Sequence, residues 1–297
     1  MLTQTEFDRY AAQGFNRIPL MCEVLADLDT PLSTYLKLAN GRYSYLFESV
    51  QGGEKWGRYS IIGLPCRTVL RVFGHDITVE KDGEVVERMR SDDPLEFVRA
   101  FKARYTVPEI PGLPRFTGGL VGYFGYDTVR YIEPTLGENH KPDEIGGPDI
   151  FLMVSDEVVV FDNLTGKLYI VIHVNPAIAD AYVKARRRLD EWVGRLYDGI
   201  PDMAASAPMQ VNETDFVSGF TQAGFEQAVE TAREYIRAGD IMQVVLSQRL
   251  SVPIAFPPLD LYRALRTLNP SPYMYYLDLG EFYVVGSSPE ILARLDG

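Results

Sequence analysis

Two stretches of this chain each encode an antiparallel strand pair, and they exclude most of what 297 residues could otherwise become. In "HDITVEKDGEVVERM", residues 75–89, Asp82-Gly83 sits between two alternating runs. An Asp-Gly pair takes the positive φ angles of a two-residue hairpin turn, whose twist matches that of the flanking strands. In "DEVVVFDNLTGKLYIVIHV", residues 156–174, a longer turn ending at Gly166 repeats the device. Short β segments joined by such turns fill most of 43–174, so the expected core is antiparallel sheet.

Helical periodicity brackets these strands. The spacing predicts one helix over 94–104 and another from Ile178 to about Leu196, the latter on Ala181, Tyr182, Ala185, Leu189, Trp192, Val193 and Leu196. A third is expected over 222–238, where Phe225, Val229, Ala232, Tyr235 and Ile236 share a face and Gly239 supplies the C-terminal cap. Val244, Val245 and Leu246 then read as a strand. The stretch 197–215 is poor in large apolar residues and reads as a surface linker. "FYVVGSSPEILARLDG" reads as a strand, a tight loop and another strand, closing on Asp-Gly, a hairpin signal that suggests an incomplete chain.

Several function classes drop out. A net charge of -12 repels a polyphosphate backbone, and the one basic run, Lys184 to Arg188, lies inside a helical pattern as a solvated face. Neither nucleic acid nor a membrane is an expected partner, since no apolar run nears 18 residues. With no targeting segment at the N-terminus the expected location is cytoplasmic. Cys22 and Cys66 lack CxxC spacing, and His75, His140 and His173 lack metal-ligand spacing. The glycines of "TGGLVGYFGYD", 117–127, alternate with apolar residues, which suits close strand packing better than a phosphate cradle.

Three polar residues stand where apolar ones would pack better. Gln243 in "GDIMQVVLSQR" lies just past a helix, at the entry of an apolar run. Glu290 in "GSSPEIL" lies beside Ile291 and Leu292, where a carboxyl must be solvated, paired or neutralised. On spacing alone the plainer readings, a surface amide for Gln243 and a turn residue for Glu290, are favoured. Glu48 in "SYLFESV" lies inside a strand of Tyr, Leu and Phe, although period-two alternation also permits it to face water.

"YSYLFESV" with "GRYSIIG", "GGLVGYFGYD", "GDIMQVVLSQR", "NPSPYMYYL" and "GSSPEIL" occur in the order and spacing of one family. Through them the chain resembles, over essentially its whole length, the large, chorismate-binding subunit of anthranilate synthase. The related aminodeoxychorismate synthase large subunit typically departs from "NPSPYM". The resemblance implies an α+β fold of two packed, mainly antiparallel sheets with flanking helices. It divides the chain into a β-rich part, 1–197, a linker, 198–213, and the start of a chorismate-binding part, 214–297.

The resemblance also implies a chemistry. Chorismate would react with ammonia, with magnesium as cofactor, to give anthranilate and pyruvate, the ammonia coming from a glutamine amidotransferase partner. In water-adding relatives the position of Gln243 is a lysine base. A neutral amide can orient ammonia without generating hydroxide. Glu290 matches the general acid that protonates the departing hydroxyl, its pKa raised by an apolar strand mouth. An effector pocket for tryptophan would set Phe47, Glu48 and Ser49 against Asn269, Pro270, Ser271, Pro272, Tyr273 and Met274. Full-length members continue into a part that carries the magnesium ligands and a catalytic histidine region, so this chain alone is expected to be inactive. A tryptophan-binding regulatory fragment, or a piece that merely aggregates through unpaired sheet edges, are the other expectations.

Overall fold

The computed structural model describes residues 2–49, 57–136, 143–202 and 209–295. His140, the central part of the expected linker (203–208) and the terminal Asp296-Gly297 signal lie outside the described residues. From the N-terminus the elements are α1 (Gln4–Ala12), β1 (Ile18–Leu25), α2 (Pro31–Leu38), β2 (Ser44–Glu48), β3 (Tyr59–Gly63), β4 (Thr68–Phe73) and β5 (Asp76–Lys81). Then come β6 (Glu84–Arg90), α3 (Pro94–Ala103), β7 (Gly119–Phe124), β8 (Ile150–Ser155), β9 (Glu157–Asp162), β10 (Lys167–Val174) and α4 (Ala181–Leu196). The last are β11 (Val217–Ser218), α5 (Gln222–Ala238), β12 (Leu250–Ser251), α6 (Pro258–Leu268), β13 (Tyr273–Asp278) and β14 (Tyr283–Ser288). The chain forms two compact units, residues 1–202 with 261–297, and residues 203–260. The stretch 214–297, one region by resemblance, is thus divided between them.

The first unit holds two antiparallel sheets, one of seven strands in the order β1-β10-β9-β3-β2-β13-β14 and one of five in the order β6-β5-β4-β8-β7. The fold is α+β, as expected. Tyr45 and Leu277 of the first sheet meet Val69, Val121, Phe151 and Met153 of the second in one buried cluster, so the sheets pack face to face. Strand alternation decides what lies behind each. On the far side of the five-stranded sheet Leu70, Val72, Ile77 and Val79 pack with Phe97 and Phe101 of α3. On the far side of the other sheet, α4 lies over β1 and β10 and beside α2.

The hairpins form where the turn chemistry puts them. Asp82 and Gly83 take φ of 54° and 85° between β5 and β6, and Gly166 takes 63° between β9 and β10. The 94–104 helix is α3, whose N-cap Asp93 accepts the Glu96 amide at 2.9 Å. The 178–196 helix begins three residues later than expected, at Ala181, after Asp180 in the left-handed region. It buries Ala181, Ala185, Leu189, Trp192 and Leu196, the periodic residues, each large one being worth about 1.5–3 kcal/mol of burial. Arg188 of the basic run stacks on Trp192 and pairs with Glu157 and Glu191, consistent with a solvated face. "GGLVGYF" is strand β7, and a Cβ on Gly122 would sit 1.9 Å from the Phe151 carbonyl oxygen, which explains the glycine.

Two expected strands are absent. Residues 241–249 have no regular structure, with Val245 81% exposed, so Val244, Val245 and Leu246 form no strand; only β12 pairs, with β11. Residues 291–295 also form none, and β14 ends at Ser288. An apolar run becomes a strand only where a neighbour supplies a ladder, and neither run has one among the described residues. In the second unit α5 is as expected, with Gly239 at φ 84°, and none of its residues is buried.

Candidate functional site

The first unit brings two distant segments together. β2 pairs antiparallel with β13, Glu48 opposite Met274 and Phe47 opposite Tyr275. "LFES" and "NPSPYM" therefore become neighbours in one sheet. Beside them lies a cavity of about 490 Å³, lined by Phe47, Glu48, Ser49, Pro272, Tyr273 and Met274 from these two segments. Its other walls are Tyr59 and Ile61 of β3, Gly122 and Tyr123 of β7, Tyr275 and Leu277 of β13, and Val284 of β14.

The walls are mostly apolar and aromatic, with few polar groups, the composition of a small-molecule site. Tyr123 donates its hydroxyl to the Pro148 carbonyl at 2.8 Å, and burial pushes its pKa up to about 12, so it stays a neutral donor. The Ser49 hydroxyl is buried with no hydrogen-bond partner among the described residues. A buried orphan hydroxyl beside a cavity is unusual enough to need a partner.

Of the nine residues singled out for this pocket, Asn269, Pro270 and Ser271 do not line it. Asn269 is exposed and its carbonyl accepts the Ser287 hydroxyl at 2.5 Å. Ser271 is buried and its hydroxyl oxygen accepts the Tyr273 amide at 3.2 Å, fixing the turn into β13.

Glu48 lines the cavity, as expected of an effector-pocket residue, and departs from the other reading of it. It is 5% exposed, so it does not face water. Alternation turns Tyr45 and Phe47 into the space between the sheets and Glu48 to the opposite face, where α6 lies. There its carboxylate accepts the Tyr262 hydroxyl at 2.5 Å and the Arg266 Nε and Nη2 at 3.0 Å each. Burial and the adjacent Glu48 carboxylate push the Tyr262 phenol well above its usual range. Sequence reasoning missed Tyr262 and Arg266. Their signal is the four-residue spacing in "DLYRALRTL", which puts both on one helix face.

Gln243 and Glu290 fall in different units and are described separately. Gln243 is exposed, in the irregular 241–249 segment of the second unit. Glu290 is exposed in the first unit, two residues past β14, where its carbonyl accepts the Ser288 hydroxyl at 2.9 Å. The apolar strand mouth expected around it is not formed by the described residues. No group of three or more His, Cys, Asp or Glu is gathered as a metal site among the described residues, so no magnesium ligand is assigned. His75 bonds the Ser91 carbonyl and His173 the Thr117 hydroxyl, both structural contacts. No helix of the described residues is long and apolar enough to cross a membrane.

A larger cavity, about 550 Å³, is lined by Arg17, Cys66, Lys81, Arg104, Asp156, Glu157, His173 and Arg188 among others. Its arginines are already spent on carboxylates: Arg17 on Asp156, Arg67 on Asp82, Arg104 on Glu87, Arg188 on Glu157. The smaller cavity, with its unpartnered hydroxyl, is the better candidate.

Comparison with known proteins agrees with the motifs. The profile of the family described as chorismate binding enzyme matches residues 46–297. The chain is 56% identical to anthranilate synthase component 1 of Pseudomonas aeruginosa, over 99% of this chain and 60% of that protein. It is 51% identical to the protein of the same name from Neisseria meningitidis, over 99% and 60% respectively. The chain therefore spans about 60% of the length of these relatives. Among solved structures, anthranilate synthase component I from Streptococcus pneumoniae superposes with TM-score 0.62 at 29% identity, over 90% of this chain and 57% of that one. A menaquinone-specific isochorismate synthase from Escherichia coli, at 15% identity and TM-score 0.51 over 96% of this chain and 54% of that one, shares the fold.

Proposed function

The chain belongs to the chorismate binding enzymes, and from that premise we propose that it is part of an anthranilate synthase component I under feedback control by tryptophan. The observation that carries the enzyme assignment is 56% identity along 99% of the chain to a protein of that name. The retained "NPSPYM" favours this reading over an aminodeoxychorismate synthase.

In the longer protein, ammonia forms a carbon–nitrogen bond to the chorismate ring as the hydroxyl departs as water. The aminated intermediate then loses pyruvate to give anthranilate. Gln243 is the neutral amide that orients ammonia; having no basic lone pair it cannot draw a proton from competing water. Glu290 gives the departing hydroxyl its proton. The ammonia comes from a glutamine amidotransferase partner, component II, and magnesium is bound by residues other than those described here. The expected setting is the cytoplasm.

Tryptophan occupies the cavity beside the paired strands β2 and β13. Its volume of about 490 Å³ and its lining of Phe47, Tyr273 and Met274 suit an indole ring, and the Ser49 hydroxyl is a ready partner for the carboxylate. Both walls belong to the first unit, which also supports the narrower reading of a tryptophan-binding regulatory fragment. Thermal unfolding of this chain with millimolar L-tryptophan tests the effector site, a rise in Tm being expected. Chorismate plus magnesium runs in parallel. Anthranilate fluorescence from chorismate, magnesium and ammonia, measured on a longer protein that contains this sequence, tests the enzyme. Turnover unaffected by Glu290→Gln would remove the acid from the scheme.

A further inference from the structure

A buried carboxylate pinned by three donors is not free to greet a ligand. Glu48 is among the residues that line the cavity, but both its carboxylate oxygens are engaged by α6, and by strand alternation its side chain leaves β2 on the opposite face from the Phe47 ring. Arg266 holds both oxygens with a two-pronged contact, and Tyr262, one helical turn earlier, donates a further hydrogen bond to Oε2. Neither residue lines the cavity. Yet α6 runs through Asn269 to Ser271 straight into Pro272, Tyr273 and Met274, which do. The pose of α6 on β2 therefore sets the position of that wall. Lifting α6 would strand the Glu48 charge in an apolar setting, so the helix has one strongly preferred seat.

We propose that Glu48 is a positioning residue that seats α6, through Arg266 and Tyr262, so that the 272–274 wall meets the effector, and that it does not itself hold the effector's amino group. The proposal rests on the reading of the cavity as a tryptophan site. It replaces a ligand contact by an internal one and names two residues outside the pocket as determinants of its affinity.

The test titrates this chain, and its Glu48→Gln, Arg266→Met and double variants, with L-tryptophan and with indole-3-propionate, which lacks the amino group. Titrations are run well below each variant's Tm, so that lowered global stability alone leaves affinity unmoved. Seating predicts that both single variants weaken tryptophan by roughly tenfold and that the double variant loses no more than the worse single, as expected of one coupled unit. It also predicts the same factor for indole-3-propionate. A direct contact predicts the reverse pattern. Arg266→Met, by freeing the carboxylate, would leave tryptophan binding unchanged or tighter, and Glu48→Gln would weaken tryptophan while sparing indole-3-propionate. That pattern overturns the proposal. Should Arg266→Met fail to fold, Arg266→Lys keeps the charge and loses the fork, and an intermediate loss for both ligands is expected. If the unaltered chain binds neither ligand, the tryptophan reading falls on its own. The seat is then judged by hydrogen exchange: Glu48→Gln must speed exchange of the 265–269 amides while the β13–β2 ladder stays protected. Unchanged exchange there overturns it.

Discussion

The Tyr45 hydroxyl meets the Ser155 hydroxyl at 2.8 Å, and this buried hydrogen bond crosses from the seven-stranded sheet to the five-stranded one. It is a polar pin set in an otherwise apolar layer, since Tyr45 is fully buried among Val69, Phe151 and Met153. Burial pushes the Tyr45 phenol far above its usual range, so the pin does not ionise at any ordinary pH. Tyr45→Phe keeps the ring and leaves Ser155 without that partner. Chemical denaturation should show a loss of about 1–2 kcal/mol with an unchanged m-value.

The same tyrosine explains a glycine. Gly63 is its partner across β2 and β3, and a Cβ at Gly63 would lie 1.9 Å from the ring. Gly63→Ala must push the ring off its seat and break the pin with it. A loss of about 2–4 kcal/mol is expected, more than for Tyr45→Phe, and the double variant should fall short of the sum.

His173 gives the fold a pH dependence. Burial lowers its pKa from 6.5 to about 4, while its ring bonds the Thr117 hydroxyl. The unfolded chain therefore binds a proton between pH 6.5 and 4 that the folded chain refuses. The contribution of His173 to stability is intact above pH 6.5 and is lost progressively as pH falls toward 4, by an amount on the order of 3 kcal/mol. Asp156, whose pKa burial raises, works in the opposite direction near the acid end of this range. Urea midpoints at pH 7.5 and 5 should differ less in His173→Gln than in the parent chain.

Leu189 is 1% exposed at the centre of the α4 face. Leu189→Ala should cost about 2–5 kcal/mol, whereas Val183→Ala, on the exposed side, should fall within about 0.5 kcal/mol. Thermal melts of the pair check the helix orientation.

What the sequence disclosed was local. Asp82-Gly83, the α4 face and the Gly239 cap each fix structure within a few residues, through backbone dihedrals and helical period. That Val244 to Leu246 form no strand was illegible, because a ladder needs a partner whose absence no local pattern announces. The site divided in the same way. Motif resemblance brought Phe47, Glu48, Ser49, Pro272, Tyr273 and Met274 to one cavity, but the hydrogen-bond partners of Glu48 lie 214 and 218 residues away in sequence. Its burial depends on which side of β2 is covered, and at Glu48 that cover comes from Tyr262 and Arg266 of α6.

The strand order β3-β2-β13 also has a consequence in time. β2 ends at Glu48 and its neighbour β13 begins at Tyr273, so more than 200 residues must be added before that edge finds its partner. At 5–20 residues per second a ribosome takes roughly 10–45 s to supply them. Through that interval the "SYLFE" edge is an open template, with Tyr45 and Leu46 not yet covered by Leu277 and Tyr276. The nascent chain is then most exposed to mispairing, and a chaperone that shields an apolar strand edge would act there.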